Sequence, residues 1–217
     1  MNLDLLAGAG GSERWTERLG PGTVVLRGYA LAEAEALQAA IAAVVAAAPL
    51  RRMTTPGGQS MSVAMSNCGP LGWVSDRAGY RYVASDPQSG RPWPPLPDFM
   101  RHLAGAAAAE AGFADFVPDA CLINRYAVGA RMGLHQDRDE RDLAQPIVSL
   151  SLGLPAVFLL GGLTRSAPTQ RVPLTHGDVL VWGGADRLRY HGVLAVKAGQ
   201  HPLLGDCRLN LTFRKAG

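Results

Sequence analysis

Residues 208–214, Arg-Leu-Asn-Leu-Thr-Phe-Arg, alternate polar and apolar side chains with the period of a β-strand. Successive side chains of a strand point to opposite faces, so one face carries all four polar groups, Arg208, Asn210, Thr212 and Arg214. Burying two arginines is costly unless an anion compensates them, and a guanidinium matches a carboxylate with two parallel hydrogen bonds. The segment therefore predicts either a buried site for a dicarboxylate such as 2-oxoglutarate or an edge strand with this face in water.

The rest of the chain from residue 119 has the same strand-like character. Short segments rich in strand-forming residues alternate with turn residues at Ala120–Tyr126, Ile147–Leu152, Ala156–Leu160, Val179–Trp182, Leu188–His191 and Arg208–Phe213. The first half adds three more, Thr23–Arg27, Met61–Met65 and Gly79–Val83. It also holds the two predicted helices, Leu31–Ala48 and Asp98–Ala111. The order predicts a mainly β (α+β) fold in which helices cover one side of an antiparallel double-sheet barrel.

Composition limits the architecture further. The chain has 217 residues, of which 47% are hydrophobic, and this length predicts one domain with one core. The 26 glycines and 15 prolines exclude a helical bundle, because both residues break helices. Residues 86–95, dense in proline and glycine, are predicted to form a surface loop. The net charge of +3 is compatible with a polyanionic partner but weak evidence for one.

Features of the sequence also bear on the compartment. Met1 to Gly11 lacks the charged start and apolar stretch of a secretory signal. The longest apolar run, Ala39 to Leu50, is shorter than the roughly 20 residues of a membrane span. Cys68, Cys121 and Cys207 are widely spaced and odd in number, so they predict neither a disulfide framework nor a zinc site. We expect a cytoplasmic protein in a reducing compartment, with no membrane partner.

The segment Gly133-Leu134-His135-Gln136-Asp137 contains a candidate metal site. In an extended chain the side chains of His135 and Asp137 point to the same side. Ferrous oxygenases bind iron with two imidazoles and one carboxylate, and leave the remaining positions for a cosubstrate and O2. A His-x-Asp pair alone is weak evidence, since such pairs also occur in solvated turns.

Three downstream histidines are candidates for the second imidazole. His176 lies in a turn between two apolar segments, and His201 precedes Pro202 in a predicted loop. His191 ends a strand-like segment, and the glycine that follows would let the backbone pass close to a cofactor. The context favours His191.

The metal and cosubstrate residues together resemble the AlkB family of alkylation-repair dioxygenases, and its bacterial members in particular. The pattern is His135-x-Asp137, His191 located 54 residues beyond Asp137, and the segment 208–214. The likeness extends over nearly the whole chain, through the segments 55–58, 61–65, 67–69, 71–73, 119–126 and 179–184. The resemblance implies a double-stranded β-helix, or jelly roll, with N-terminal helices packed on one sheet and a nucleotide-recognition lid. The whole chain, 1–217, would form one dioxygenase domain, with helices and lid in about 1–118 and the jelly-roll core in about 119–217.

The resemblance also implies a role for particular residues. The iron ligands would be His135, Asp137 and His191, which are also the catalytic residues. The 2-oxoglutarate contacts would be Asn124, Tyr126, Arg208, Asn210 and Arg214. The substrate contacts would be Trp73, Tyr80, Asp139 and Arg165.

Without the resemblance, the substrate residues have simpler interpretations. Asp139 lies in the charged run 137–142 and would be a solvated acid, and Arg165 would be an ordinary surface arginine. Trp73 and Tyr80 would be core aromatics, although aromatic faces also stack on bases taken out of a helix. Trp182 is expected in the core rather than beside the iron.

The function implied is oxidative demethylation of N-alkylated bases, such as 1-methyladenine and 3-methylcytosine, in single- or double-stranded DNA, with RNA as a further candidate. Fe(II) is the cofactor, 2-oxoglutarate and O2 are converted to succinate and CO2, and formaldehyde is released by a monomeric enzyme. The alternatives are a hydroxylase of a protein, lipid or metabolite, and a nucleic-acid-binding module with structural histidines. Four positions depart from the bacterial members, Val128, Gly133, Leu160 and Leu209, where they carry proline, serine, phenylalanine and tyrosine. Among these, Leu160 bears on how the base pocket is packed.

Overall fold

Eight strands that follow residue 119 divide into two sheets of a jelly roll, in a computed structural model that describes residues 14–217. In chain order they are β7 (Ala120–Ala127), β8 (Met132–His135), β9 (Ile147–Gly153), β10 (Ala156–Leu160), β11 (Gln170–Leu174), β12 (Val179–Trp182), β13 (His191–Val193) and β14 (Cys207–Arg214). Strands β12, β9, β14 and β7 are neighbours in the large sheet, and β11, β10, β13 and β8 form the small sheet. All pairings are antiparallel, and side chains from both sheets form a common apolar cluster between them.

The strands of the first half extend the large sheet at both edges. They are β1 (Trp15–Gly20), β2 (Thr23–Arg27), β3 (Arg51–Thr54), β4 (Ser60–Cys68), β5 (Gly72–Asp76) and β6 (Gly79–Val83). Strand β2 joins β12 on one side, and β4 joins β7 on the other, which gives the order β1-β2-β12-β9-β14-β7-β4-β3. Strands β5 and β6 form a separate two-stranded hairpin, which we call the lid hairpin.

Two helices cover the outer face of the large sheet. They are α1 (Ala34–Ala47) and α2 (Asp98–Glu110). Their buried residues, among them Leu37, Ile41 and Met100, pack in one cluster with Leu211 and Phe213 of β14. The predicted fold class, with helices on one sheet of a jelly roll, is confirmed.

Strand β14 lies in the middle of the large sheet, between β9 and β7. Its apolar residues face the helices, and its four polar residues are all buried on the opposite side. The edge-strand interpretation of residues 208–214 is therefore wrong. Because the small sheet packs over that face, its polar groups need partners inside the protein or in a ligand.

Several local predictions differ from the structure. The segment Leu188–His191 was predicted as a strand, but the strand begins at His191 and continues to Val193. Strands β1, β3, β5, β8 and β11 were not predicted, because they are short or exposed and lack a clear apolar alternation. The loop 86–95 is mostly exposed, yet Trp93 within it is buried in the core at 5% exposure. A large aromatic can enter a core from a loop, which strand periodicity does not detect.

Two predictions about the compartment meet the structure only in part. The segment Met1 to Gly11 lies outside the described residues. Within residues 14–217, neither helix is long and apolar enough to cross a membrane. The three cysteines are free, and all three are buried.

Candidate active site

The structure brings His135, Asp137 and His191 together between the two sheets. His135 Nε2 lies 3.5 Å from Asp137 Oδ1, and His191 Nε2 lies 3.8 Å from Asp137 Oδ2. One ligand atom from each residue lies within 4.8 Å of the other two, which suits a single metal ion. His135 is the last residue of β8, so Asp137 follows the strand instead of belonging to it. The predicted juxtaposition nevertheless holds, because the ligand atoms of both side chains lie close to one another and to that of His191.

Backbone carbonyls orient both imidazoles toward this point. His135 Nδ1 is 2.9 Å from the carbonyl oxygen of Gly133, and His191 Nδ1 is 3.0 Å from that of Arg189. When each Nδ1–H donates to its carbonyl, the lone pair of Nε2 faces the centre of the triad. Such a hydrogen bond to the second ring nitrogen fixes the tautomer and the orientation of a metal-binding histidine.

His191 is further held by its aromatic neighbours and by the adjacent strand. Its ring stacks on Phe158 at 5.6 Å between centroids and meets Trp182 edge-on at 4.9 Å. Trp182 is thus buried in the core, as predicted, and also lies beside the triad. A β-carbon on Gly192 would lie 2.8 Å from the carbonyl oxygen of Met132. The glycine therefore permits the close approach of β8 and β13, and it also lines the cleft beside His191.

The ionisation of the triad favours cation binding. Burial alone would raise the pKa of Asp137, but Arg214 and the two imidazoles hold it well below its ordinary value. Burial, together with the charge of His135, lowers the pKa of His191 to about 4. Burial also opposes the charged form of His135, but the hydrogen bond and charge of Asp137 raise its pKa. A divalent metal requires an ionised carboxylate and neutral imidazoles, so Asp137 and His191 are already in the form that binds it, whereas a proton on His135 has to leave when the metal binds.

Arg208 provides the clearest sign of an anionic ligand. It is 1% exposed, and its NH2 donates a 3.0 Å hydrogen bond to Ser151 Oγ. Its Nε and NH1 are buried without any hydrogen-bond partner, and its guanidinium lies 4.9 Å from the centre of the Tyr126 ring. Burial lowers the pKa of Arg208, although Tyr126 opposes this. A carboxylate of 2-oxoglutarate would satisfy the two orphaned donors, so the residues present suit that cosubstrate.

The other predicted cosubstrate residues line the same space. Asn124 and Asn210 face each other from paired strands, with Asn124 Nδ2 located 3.4 Å from Asn210 Oδ1. Asn124 Oδ1 is also buried without a partner. Arg214 donates to Asp137 Oδ2 from Nε at 3.1 Å and from NH2 at 2.5 Å. Arg214 thus links the predicted cosubstrate face of β14 to the metal triad.

The predicted substrate residues form the outer wall. Trp73 and Tyr80 of the lid hairpin stack with centroids 5.5 Å apart and ring planes 13° apart. Trp73 Nε1 donates a 2.9 Å hydrogen bond to Asp139 Oδ2. Arg165 donates from NH1 to the Leu134 carbonyl oxygen at 2.8 Å. Aromatic faces, a carboxylate and a guanidinium thus meet at one opening.

A cleft of about 760 Å³ connects these groups. It is lined by every site residue predicted from the sequence, namely Trp73, Tyr80, Asn124, Tyr126, His135, Asp137, Asp139, Arg165, His191, Arg208, Asn210 and Arg214. Cleft-lining residues that the sequence analysis did not single out include Met65, Ser149 and Arg131. The alternation of apolar residues along β4 is the signal that could have found Met65, because Val63 and Met65 lie two residues apart and are buried on the same face of the strand.

Two further residues, which received no role as ligands, are buried. Glu140 lies in the charged run 137–142, yet its side chain is 2% exposed and contacts Arg187 and Arg214. Leu160 does not line the cleft, but it is buried in the same cluster as Phe158 and Trp182, which do, so its effect on the packing of the base pocket stays a prediction. Leu209 faces the helices, so the tyrosine-to-leucine departure lies away from the cleft.

Comparison with known proteins identifies the family. The model of the 2OG-Fe(II) oxygenase superfamily matches residues 22–214. The chain is 57% identical over 215 residues to the alpha-ketoglutarate-dependent dioxygenase AlkB of Escherichia coli, covering 99% of this chain and 98% of that protein. The chain belongs to the AlkB family. As a member of it, this protein is an Fe(II)- and 2-oxoglutarate-dependent dioxygenase that uses O2.

Further relatives agree with this assignment to the AlkB family. The AlkB homolog of Caulobacter vibrioides is 46% identical over 182 residues, covering 83% of this chain and 81% of that protein. The solved structure of OsALKBH1 superposes with a TM-score of 0.81 at 27% identity, covering 93% of this chain and 100% of that one. The jelly roll is thus that of an AlkB-type dioxygenase.

Proposed function

We propose that this protein removes alkyl groups from N-alkylated nucleic-acid bases by oxidative demethylation. The observation that carries the proposal is the geometry of the cleft. It has a stacked aromatic pair and a carboxylate at its opening, and a His-Asp-His triad and an uncompensated arginine inside. A flat, positively charged methylated ring suits such an opening, because aromatic faces stack on bases and a carboxylate favours a cation.

In this proposal, His135, Asp137 and His191 hold ferrous iron through Nε2, a carboxylate oxygen and Nε2. Arg208 pairs with one carboxylate of 2-oxoglutarate through its orphaned Nε and NH1, and Asn124, Tyr126, Asn210 and Arg214 complete the cosubstrate site. Iron and 2-oxoglutarate together supply the oxidation by O2 that turns an N-methyl group into an N-hydroxymethyl group, with succinate and CO2 as products. The hydroxymethyl group then leaves as formaldehyde and restores the base. The buried strand face excludes water from the reaction.

The remaining residues would orient the substrate. Trp73 and Tyr80 stack on the extruded base, and Asp139 attracts its positive charge. Arg165, exposed at the opening, contacts the nucleic-acid strand. Cationic lesions such as 1-methyladenine and 3-methylcytosine are therefore the preferred substrates, since alkylation of these ring nitrogens makes the base positively charged.

Names of relatives support a nucleic-acid substrate. Human ALKBH1 is called a nucleic acid dioxygenase, and Arabidopsis thaliana ALKBH1D a DNA N(6)-methyladenine demethylase. We propose single- and double-stranded DNA as partners, with RNA as a further candidate. One chain supplies all the cleft residues, which favours a single-domain enzyme acting as a monomer, with its helices and lid in about 1–118 and its core in about 119–217. The three free cysteines and the need for ferrous iron favour the cytoplasm.

The test is mass spectrometry of a single-stranded oligonucleotide that contains 1-methyladenine, after incubation with ferrous iron, ascorbate and 2-oxoglutarate. We expect wild-type protein to remove the methyl group and His135→Ala to leave it. His102→Ala is the matched control. His102 is exposed on α2, which packs on the outer face of the large sheet, whereas the triad lies between the two sheets. Succinate without demethylation would reject the substrate and favour a hydroxylase of another molecule.

A further inference from the structure

Glu140 is a buried acid that the proposed mechanism does not use. Its side chain is 2% exposed, although it lies in a loop three residues after Asp137. Its Oε2 accepts a 2.8 Å hydrogen bond from Arg187 NH2, and its Oε1 lies 3.3 Å from Arg214 Nε. A carboxylate removed from water to this degree requires such partners, so its position is set by them.

Arg187 makes one side of this arrangement rigid. Besides binding Glu140, it donates from NH1 to the Asp137 carbonyl oxygen at 2.5 Å and from Nε to the Gln145 carbonyl oxygen at 2.9 Å. Arg187 is itself 3% exposed. The guanidinium therefore ties the whole segment from Asp137 to Gln145 together, and it anchors Oε2 of Glu140.

The other oxygen of Glu140 links two different parts of the protein. Tyr82 Oη, on strand β6 of the lid hairpin, donates a 2.7 Å hydrogen bond to Oε1. That same oxygen faces Arg214 Nε, and Arg214 also binds the Asp137 carboxylate. Tyr82 is the cross-strand partner of Trp73, which binds Asp139. Adjacent acids, Asp139 and Glu140, thus hold the two strands of the hairpin.

We propose that Glu140 is a positioning residue that couples docking of the lid hairpin to the orientation of Arg214. With Tyr82 bound, Oε1 divides its charge between a phenol and a guanidinium, and Arg214 remains turned toward Asp137 and the cosubstrate. When the hairpin moves away, Oε1 loses its neutral donor and attracts Arg214 Nε more strongly, away from Asp137. A nucleic acid that holds the hairpin down therefore strengthens the binding of 2-oxoglutarate. By thermodynamic linkage, 2-oxoglutarate strengthens the binding of the nucleic acid by the same factor.

This inference rests on the proposed function, since it takes the substrate to be a base held by Trp73 and Tyr80. The experiment measures the dissociation constant of 2-oxoglutarate by calorimetry, with Mn²⁺ as the metal and without O2. Each measurement is made with and without a single-stranded oligonucleotide that contains 1-methyladenine. The variants are Tyr82→Phe, Glu140→Gln and the double variant. Tyr29→Phe is the matched control, because Tyr29 is a buried phenol that packs against Arg14 and the helices.

We expect the oligonucleotide to tighten 2-oxoglutarate binding about fivefold or more in wild type and Tyr29→Phe. The ratio of the 2-oxoglutarate dissociation constants without and with oligonucleotide should fall toward one in Tyr82→Phe and in Glu140→Gln. The double variant should show no further fall in this ratio. An unchanged ratio in Tyr82→Phe, or a ratio of one in wild type, would overturn the proposal. So would an equal weakening with and without oligonucleotide, which indicates a purely structural role. Demethylation by the same wild-type sample with iron tests the proposed function separately.

Discussion

His135 and His191 are register partners across the β8–β13 pair, and their ring centroids lie 4.4 Å apart. The separation of the two imidazoles therefore depends on how closely two backbones approach, and not only on side-chain rotamers. The pairing is irregular between His191 and Val193, and Gly192 occupies the point of closest approach. The metal triad is accordingly sensitive to any atom added between these strands.

Gly192→Ala is expected to weaken metal binding at least about tenfold, which corresponds to about 1.4 kcal/mol. The new β-carbon would lie 2.8 Å from the carbonyl oxygen of Met132 and 3.2 Å from the backbone of Gly133. Both contacts are to backbone atoms, which would have to move. Calorimetric titration with Mn²⁺ measures the effect. Gly133→Ala is the matched control, since a β-carbon there meets nothing within 4 Å. Equal affinities for wild type and Gly192→Ala would show that the two imidazoles do not depend on this contact.

Arg208→Met is expected to abolish 2-oxoglutarate binding and yet stabilise the ligand-free protein. The substitution removes a buried guanidinium that has two unpartnered nitrogens. The methionine side chain that replaces it is apolar and fills much of the space of the arginine stem. A gain of about 1 kcal/mol would raise the melting temperature by about 2–4 °C. Added 2-oxoglutarate should raise the melting temperature of wild type only. The control is Arg125→Met, at an exposed position of β7. A ligand-free Arg208→Met protein that is less stable than wild type would contradict this expectation.

Asp139→Asn is expected to reduce demethylation of cationic lesions more than that of neutral ones. Asparagine keeps an oxygen that can accept the Trp73 Nε1 hydrogen bond but removes the charge. We expect kcat/KM for 1-methyladenine to fall about tenfold, or about 1.4 kcal/mol, and for neutral 3-methylthymine to change little. Asp139→Ala should lower both, because it also removes the contact to the lid. Asp142→Asn, at an exposed acid of the same run, serves as control, and equal losses on both lesions in Asp139→Asn would refute charge recognition.

The stability of the protein should depend on pH through His176. Burial and the nearby His201, with ring centroids 4.3 Å apart, lower the pKa of His176 below its ordinary value. Because the unfolded chain then binds a proton more readily, this contribution to stability is present above about pH 6.5 and is lost as the pH falls toward the folded pKa.

Thermal unfolding between pH 8 and pH 5.5 in the presence of a chelator measures this dependence. His176→Asn offers an oxygen for the 3.0 Å hydrogen bond from Gly153 N–H but does not titrate. Its melting temperature should therefore fall less with decreasing pH than that of wild type. The buried His191 contributes equally to both proteins, so the same slope in both would rule out His176 as the cause.

Local sequence predicted some elements accurately and missed others for identifiable reasons. Strands β2, β6, β10 and β12 have the predicted bounds because their composition is strongly strand-forming. Strand β11 was missed because it contains Pro173, which its position at the sheet edge tolerates. The buried position of Glu140 was not predicted, because a charged run gives no sign of which member turns inward.

The sequence alone determined the strand period of residues 208–214, the chemistry of the triad residues and the resemblance that joined them. These follow from residue type and spacing, which are local properties. Only the tertiary structure decided that β14 is central and that its polar face is buried, since these depend on which strands pair beside it and on what packs over that face. The tertiary structure also left two nitrogens of Arg208 without partners and placed Glu140 between Tyr82 and Arg214. Contacts between residues more than fifty positions apart arise from packing of distant strands, and no local pattern encodes them.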